Sequence, residues 1–280
     1  MIRLNEPSYS FEQSLDDCVS DIAAYMPLRS KMGNAKGALL KAGDGYSDAS
    51  RRGRLFEIAP FLGDAAEIVI AAMTKAELVK IYDQYFVPEG KIARRVYDSI
   101  LSSSLEKCPF CGGIGTPRNI DHFLPKSLFP QFSVLPYNLV PACRDCNMDG
   151  KADAFARSAD SQPIQPYLEA SRFFDEQWVY ASYYVDRLDA PGRFEYFVSA
   201  PNEWEDVDKK RVESHFSNFD LARRYSVKAA EHVATVHAQM QKMRAVGLSE
   251  ETIKTVLLKP GVDRAPFINH WQRAMYQALM

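Results

Sequence analysis

Apolar side chains recur every three to four positions over residues 74–86 (TKAELVKIYDQYF) and 90–105, so the pattern predicts two amphipathic helices there. Thr74 followed by Glu77 has the form of a capping box, and Pro88 separates the two segments. Upstream, residues 33–55 (GNAKGALLKAGDGYSDASRRGRL) are rich in Gly, Ala and Ser and read as a loop carrying Arg51, Arg52 and Arg54, with Asp44 and Asp48 nearby to offset them. Past Pro163 the period changes. Residues 177–185 and 193–199 alternate large apolar with polar groups and flank 186–192, which predicts a hairpin. Its aromatics Trp178, Tyr180, Phe194, Tyr196 and Phe197 read as core, with stacking on nucleobases as the rival role. Helical pattern returns over 209–216, 220–244, 249–257 and 266–279, with Ser249 as a cap. The expected architecture is α+β and mainly helical. It comprises an N-terminal helical region (1–105), a central segment (106–160) and a C-terminal hairpin with helices (161–280).

With 280 residues, 46% of them hydrophobic and 25% charged, the chain is long enough to bury a sizeable core and is neither fibrous nor disordered. No apolar run, Ile68 to Met73 included, approaches the roughly twenty residues of a membrane span. The opening MIRLNEPSYS has no apolar signal core, so a cytoplasmic protein without membrane contact is expected. Thirty-four basic against 36 acidic side chains leave a formal charge of −2, so any nucleic-acid binding must be local. Lys91, Arg94 and Arg95 offer one such basic face, on the helix that runs into the central segment.

Four of the five cysteines form two C-x-x-C pairs, Cys108 with Cys111 and Cys143 with Cys146. A two-residue spacer lets both sulfurs of a pair reach one ion, and two such knuckles close a tetrahedral thiolate site whose natural guest is structural Zn²⁺. Paired disulfides fit poorly in a chain with no secretory signal, and a redox pair accounts for one C-x-x-C but not two. Cys18 reads as a buried small apolar residue.

The 31 residues between Cys111 and Cys143 exceed the spacer of a simple zinc ribbon. Strands are expected at 118–123 and around 133–135, punctuated by Gly112, Gly113, Gly115, Pro117, Pro125 and Pro136, with a helix after Cys146. Asp121-His122 then emerges from an apolar strand. Asn147, about 40° around the helix from Cys143, is aimed by the zinc frame. A carboxylate and an amide oxygen make a sparse hard-oxygen site suited to Mg²⁺ or Mn²⁺, and His122 is left to take a proton from water. Singly, each residue has a bland reading: a strand-end histidine, a turn aspartate, a helix-capping asparagine.

Taken in order, the C-x-x-C pair, IDHFLPKS, NLVPAC and C-x-x-C-N resemble the HNH endonuclease family with its ββα-metal finger, over the 44 residues from Cys108 to Lys151. The resemblance implies that His122 is the general base and that Asp121 and Asn147 hold a single catalytic divalent ion. It also implies that Asn138, the middle motif letter, braces the loop carrying the base. The third letter is Asn147 where many members have His, as in the HNH domains of RNA-guided nucleases, which favours Mg²⁺ over softer ions. Lys151 stands four positions beyond it, where the family often has Lys at three. The flanks are similar to HNH nucleases of bacterial anti-phage and mobile-element systems, including the Septu type, which implies DNA as substrate and an ATPase as partner. Lys126, Ser127, Arg118 and Arg144 are candidate phosphate contacts. His215, His232, His237 and His270 show no ligand spacing and are assigned to structure or solvent. The rival is a non-catalytic zinc module that binds nucleic acid or a protein. A further alternative makes the flanks an assembly surface that keeps the chain silent until a partner engages it.

Overall fold

A computed structural model describes residues 1–151, 155–185 and 192–280. Helices dominate a mixed α+β architecture, and the strands of the described residues form three antiparallel pairs. The N-terminal part contains α1 (Phe11–Ser20), α2 (Pro27–Arg51), a small hairpin of β1 (Ile68–Ile70) with β2 (Met73–Thr74), α3 (Lys75–Lys80) and α4 (Arg94–Ser103). The predicted capping box at Thr74 and Glu77 is present, and α3 continues into a wider π turn over Ile81–Phe86.

Residues 33–55 are not a loop. Through Arg51 they belong to the 25-residue helix α2, whose buried positions Leu28, Met32, Ala35, Leu39, Gly43, Tyr46 and Ser50 repeat every three or four residues. Helical periodicity was present, but small residues carried part of it, and glycine composition outweighed it in the sequence reading. Gly43 is small because Phe11 crosses there: a Cβ would lie 2.7 Å from the Phe11 ring. Of the three arginines near its end, Arg52 pairs with Asp48 at 3.0 Å and Arg54 with Glu57 at 2.7 Å.

The central hairpin joins β3 (Asn119–His122) to β4 (Leu139–Ala142), in register Asn119↔Ala142 through His122↔Leu139. The first strand is where the pattern put it; the second is not at 133–135, which instead follow a 3₁₀ turn at Pro130–Phe132. All four residues of β4 are buried, so both faces are covered and the alternation that marks a half-exposed strand is missing. The C-terminal part holds α5 (Arg172–Asp175), β5 (Val179–Tyr184), β6 (Arg193–Val198), α6 (Asp206–Asn218) and α7 (Leu221–Ala245). It ends with α8 (Glu250–Ile253), α9 (Lys259–Asp263) and α10 (Trp271–Ala278). Of the connection predicted at 186–192, residues 186–191 lie outside the described residues. Trp178, Phe194 and Tyr196 are core as expected, whereas Phe197 faces outward and stacks on Tyr180, ring centroids 6.2 Å apart.

Two apolar clusters result, and the central segment contributes to both. Ile120, Val134 and Leu139 join the core built by α1 to α4. Phe110, Phe123, Phe129, Phe132 and Val140 join the core of the C-terminal hairpin and helices. A buried ion pair locks the second core: Arg211 Nη1 donates to Glu169 Oε2 at 3.1 Å, and Arg211 Nε donates to the Gln162 carbonyl at 3.2 Å. Arg211→Ala strands the Glu169 carboxylate in the interior, with an expected stability loss of about 3–5 kcal/mol, read from the urea midpoint. No helix of the described residues is long and apolar enough to cross a membrane.

Candidate functional site

Cys108, Cys111, Cys143 and Cys146 converge, buried, with their sulfurs within 4.8 Å of one another. None of the five cysteines is in a disulfide. A tetrahedron with metal–sulfur arms of 2.3 Å has edges of about 3.8 Å, and the Cys111 and Cys143 sulfurs are 3.9 Å apart. The donor set is compatible with a structural zinc. The first knuckle closes through left-handed Gly112 (φ 64°) and Gly113 (φ 85°), which turn the chain so that the Gly115 N–H donates to Cys111 Sγ at 3.3 Å. Arg224 of α7 also reaches the cluster, with Nη1 3.3 Å from Cys146 Sγ and Nη2 3.7 Å from Cys143 Sγ. Burial by itself would weaken this guanidinium's hold on its proton, but contact with the cysteines, Cys146 foremost, keeps its pKa raised. Four thiolates around Zn²⁺ would carry two net negative charges, and Arg224 would offset one of them. Cys18 is elsewhere and fully buried, and burial, aided by Asp17 and Asp21, pushes its thiol pKa up, as befits an inert packing residue.

The strand end next to this frame carries Asp121 and His122. Successive strand residues alternate between faces, so His122 lies with Ile120 toward the N-terminal core and Asp121 lies on the more exposed side. The His122 imidazole is buried edge-on against the Tyr82 ring, centroids 4.5 Å apart. Its Nε2 is 2.9 Å from the Ser133 carbonyl oxygen. A carbonyl only accepts, so Nε2 carries the hydrogen, and in the neutral imidazole the lone pair resides on Nδ1. Asp121 Oδ1 accepts the His122 backbone N–H at 2.8 Å.

Asn138 is fully buried and braces the loop after the strand. Its Oδ1 accepts the Leu124 N–H at 2.7 Å, while Nδ2 donates to the carbonyls of Leu124 at 3.0 Å and Phe132 at 3.2 Å. Asn138→Ala takes these partners from the Leu124 N–H and carbonyl, while the Phe132 carbonyl keeps the Leu135 N–H, and is expected to cost about 2–5 kcal/mol, measured by denaturant unfolding.

After the second knuckle the chain turns as a helix, with the Asn147 N–H donating to the Cys143 carbonyl at 3.0 Å, and widens into a π turn over Cys146–Lys151. The extent of the predicted helix beyond it and the side chain of Lys151 lie outside what is described. Asp121, His122 and Asn147 line one open cavity of about 380 Å³, together with Pro125, Lys126, Ser127 and Met148. Arg118 and Arg144 are exposed and do not line it. Three contributors escaped the sequence reading: the Ser133 carbonyl, Tyr82 and Arg224. A carbonyl has no residue-type signature, Tyr82 belongs to an ordinary apolar helix stripe, and Arg224 lies 78 positions from Cys146.

The remaining histidines are structural where the geometry speaks. His215 is fully buried with Nε2 2.9 Å from the Phe110 carbonyl, and burial pushes its pKa down to about 3. His270 Nδ1 accepts the Gln272 N–H at the start of α10.

Aligned with protein Ea31 of Escherichia phage lambda, the chain is 36% identical over 293 residues, a match that spans all of this chain and 97% of that protein. The chain belongs to the Ea31 family. No family model and no solved structure matches it. In this Ea31-family chain the cysteine frame and the cavity share one segment. Cys143 and Cys146 set the start of the turn that carries Asn147.

Proposed function

We infer that this Ea31-family protein is a metal-dependent endonuclease of the HNH type, which hydrolyses phosphodiester bonds in DNA. The observation that carries the reading is the convergence of Asp121, His122 and Asn147, spread over 27 residues of sequence, on one open cavity beside a buried four-cysteine cluster. A two-stranded hairpin followed by a helical turn, with a buried asparagine bracing the loop between the strands, supports the ββα-metal layout.

The carboxylate of Asp121 and the amide oxygen of Asn147 are hard donors and would hold one Mg²⁺ or Mn²⁺. Such an ion supplies charge neutralisation at the departing 3′ oxygen during in-line displacement. The protein's own part lies with His122. Its Nδ1 lone pair takes the proton of the attacking water, while the Ser133 carbonyl and the Tyr82 ring keep the imidazole in one tautomer and one orientation. A zinc on the four cysteines would take no part in the reaction and would hold the hairpin and the turn together. Hydrolysis in this sense leaves 5′-phosphate ends.

A phage-encoded relative supports the mobile-element side of the resemblance more than the anti-phage side. An ATPase partner would then act on the flanking regions, and comparison of cleavage with and without the products of neighbouring genes tests it. For the site, Asp121→Ala and Asn147→Ala should each raise the Mg²⁺ concentration for half-maximal plasmid cleavage by about tenfold or more, with zinc content unchanged. An unaltered Mg²⁺ dependence in both variants would remove the assigned ion site.

A further inference from the structure

Lys126 lines the cavity, and its ammonium is already engaged by residues far away in sequence. Nζ is 2.5 Å from Asp83 Oδ1 and 4.6 Å from the centroid of the Tyr82 ring. Tyr82 is the same residue that packs against the His122 imidazole. Two consecutive residues of the Ile81–Phe86 turn thus act on the site: Tyr82 backs the imidazole, and Asp83 pairs with a cation that lines the cavity.

This ion pair does little for the fold. The Lys126 and Asp83 side chains are 32% and 50% exposed, and pairs so exposed contribute little to stability and open readily. An ammonium on an aromatic face beside a base and two oxygen donors is, however, well placed for a phosphate oxygen, to which lysine offers a compact point charge. A phosphodiester group carries one negative charge, as a carboxylate does, and can take the carboxylate's place.

Resting on the nuclease reading, we propose that Lys126 is a backbone-phosphate contact of this site and that Asp83 is its internal stand-in for phosphate. In the free protein the Asp83 carboxylate occupies the ammonium; an entering nucleic-acid strand displaces it. The chain therefore carries its own competitor, which lowers its affinity for polyanions and matches its near-neutral overall charge.

The test is a double-mutant cycle on the full-length, zinc-loaded protein. Binding of a fluorescent duplex oligonucleotide is followed by anisotropy, without added Mg²⁺ or Mn²⁺ so that binding is read apart from cleavage. Asp83→Asn should tighten Kd by about 3- to 10-fold at low salt, and Lys126→Gln should weaken it by a similar factor and lower the salt slope by about one. Combined with Lys126→Gln, Asp83→Asn should give no gain, and Lys126→Arg should restore binding. Asp263→Asn makes the same charge change in an exposed ion pair at the end of α9, outside the cavity lining, and should shift Kd less than about twofold. A gain from Asp83→Asn that persists without Lys126, or a Kd indifferent to Lys126→Gln, overturns the proposal while leaving the nuclease reading intact. Wild-type protein that neither binds nor cuts the duplex sinks both.

Discussion

His122→Ala should lower the rate of DNA cleavage by about 10²- to 10⁴-fold, the usual contribution of a positioned general base. The substitution also removes the hydrogen bond to the Ser133 carbonyl and the contact with Tyr82, so a stability loss of about 1–3 kcal/mol should accompany it. His122→Gln separates the two effects, because an amide can still donate toward the Ser133 carbonyl but cannot take up a proton near neutral pH. Both variants should retain zinc and keep cooperative unfolding, while both lose cleavage measured under single-turnover conditions. Tyr82→Leu, which leaves the base in place but removes its aromatic backing, should reduce kcat more than it raises KM. Cleavage by His122→Gln at the wild-type rate would take the base role away from this residue.

Removing a zinc ligand should be more destructive than removing the base. Structural zinc sites supply about 10–16 kcal/mol of apparent binding energy in small peptides, as much as the whole net stability of a typical domain. Here the ligands sit in the segment that contributes to both apolar clusters, with Cys108, Cys111, Cys143 and Cys146 all buried in the larger one. Cys143→Ser should therefore leave a chain that binds no stoichiometric zinc and lacks a cooperative thermal transition, where the wild type should bind one zinc per chain. Cys18→Ala is the matched control: it is buried in the other core, away from the cluster, and should cost about 1–2 kcal/mol without changing the metal content. Metal analysis alongside calorimetry checks both. A zinc-free Cys143→Ser protein melting at the wild-type temperature would show that the cluster holds no stabilising ion.

Arg224 bears on the same site from outside the knuckles. Its guanidinium contacts two sulfurs and Asp145 Oδ2, the latter at 3.3 Å, so Arg224→Met should speed zinc loss to a chelator even where the folded signal persists.

What could be read from the sequence divides along physical lines. The cysteine frame was legible because metal ligands need fixed residue types at fixed spacing. Asp121 and His122 stand between the knuckles and Asn147 directly follows the second, and the fold brings these three to one cavity. Capping at Thr74 and Ser249 was legible because caps are local. Helix α2 was lost because Gly33, Gly37, Gly43 and Gly45 fall within it; open space surrounds all but Gly43, so the glycines cost helix propensity without marking a break. Strand β4 was misplaced because burial on both faces erases the two-residue period. The contacts that set the His122 ring were illegible for a different reason. They come from a carbonyl and from a helix about 40 residues upstream, and tertiary proximity of that kind leaves no local trace.

The most direct measurement is incubation of the purified, zinc-loaded chain with supercoiled plasmid, with and without Mg²⁺, followed by end analysis of the products. The account predicts nicked or linear DNA only when Mg²⁺ is added, with phosphate on the 5′ ends. Plasmid left intact across Mg²⁺ and Mn²⁺ by a folded, zinc-loaded protein, with and without its neighbouring gene products, would contradict it.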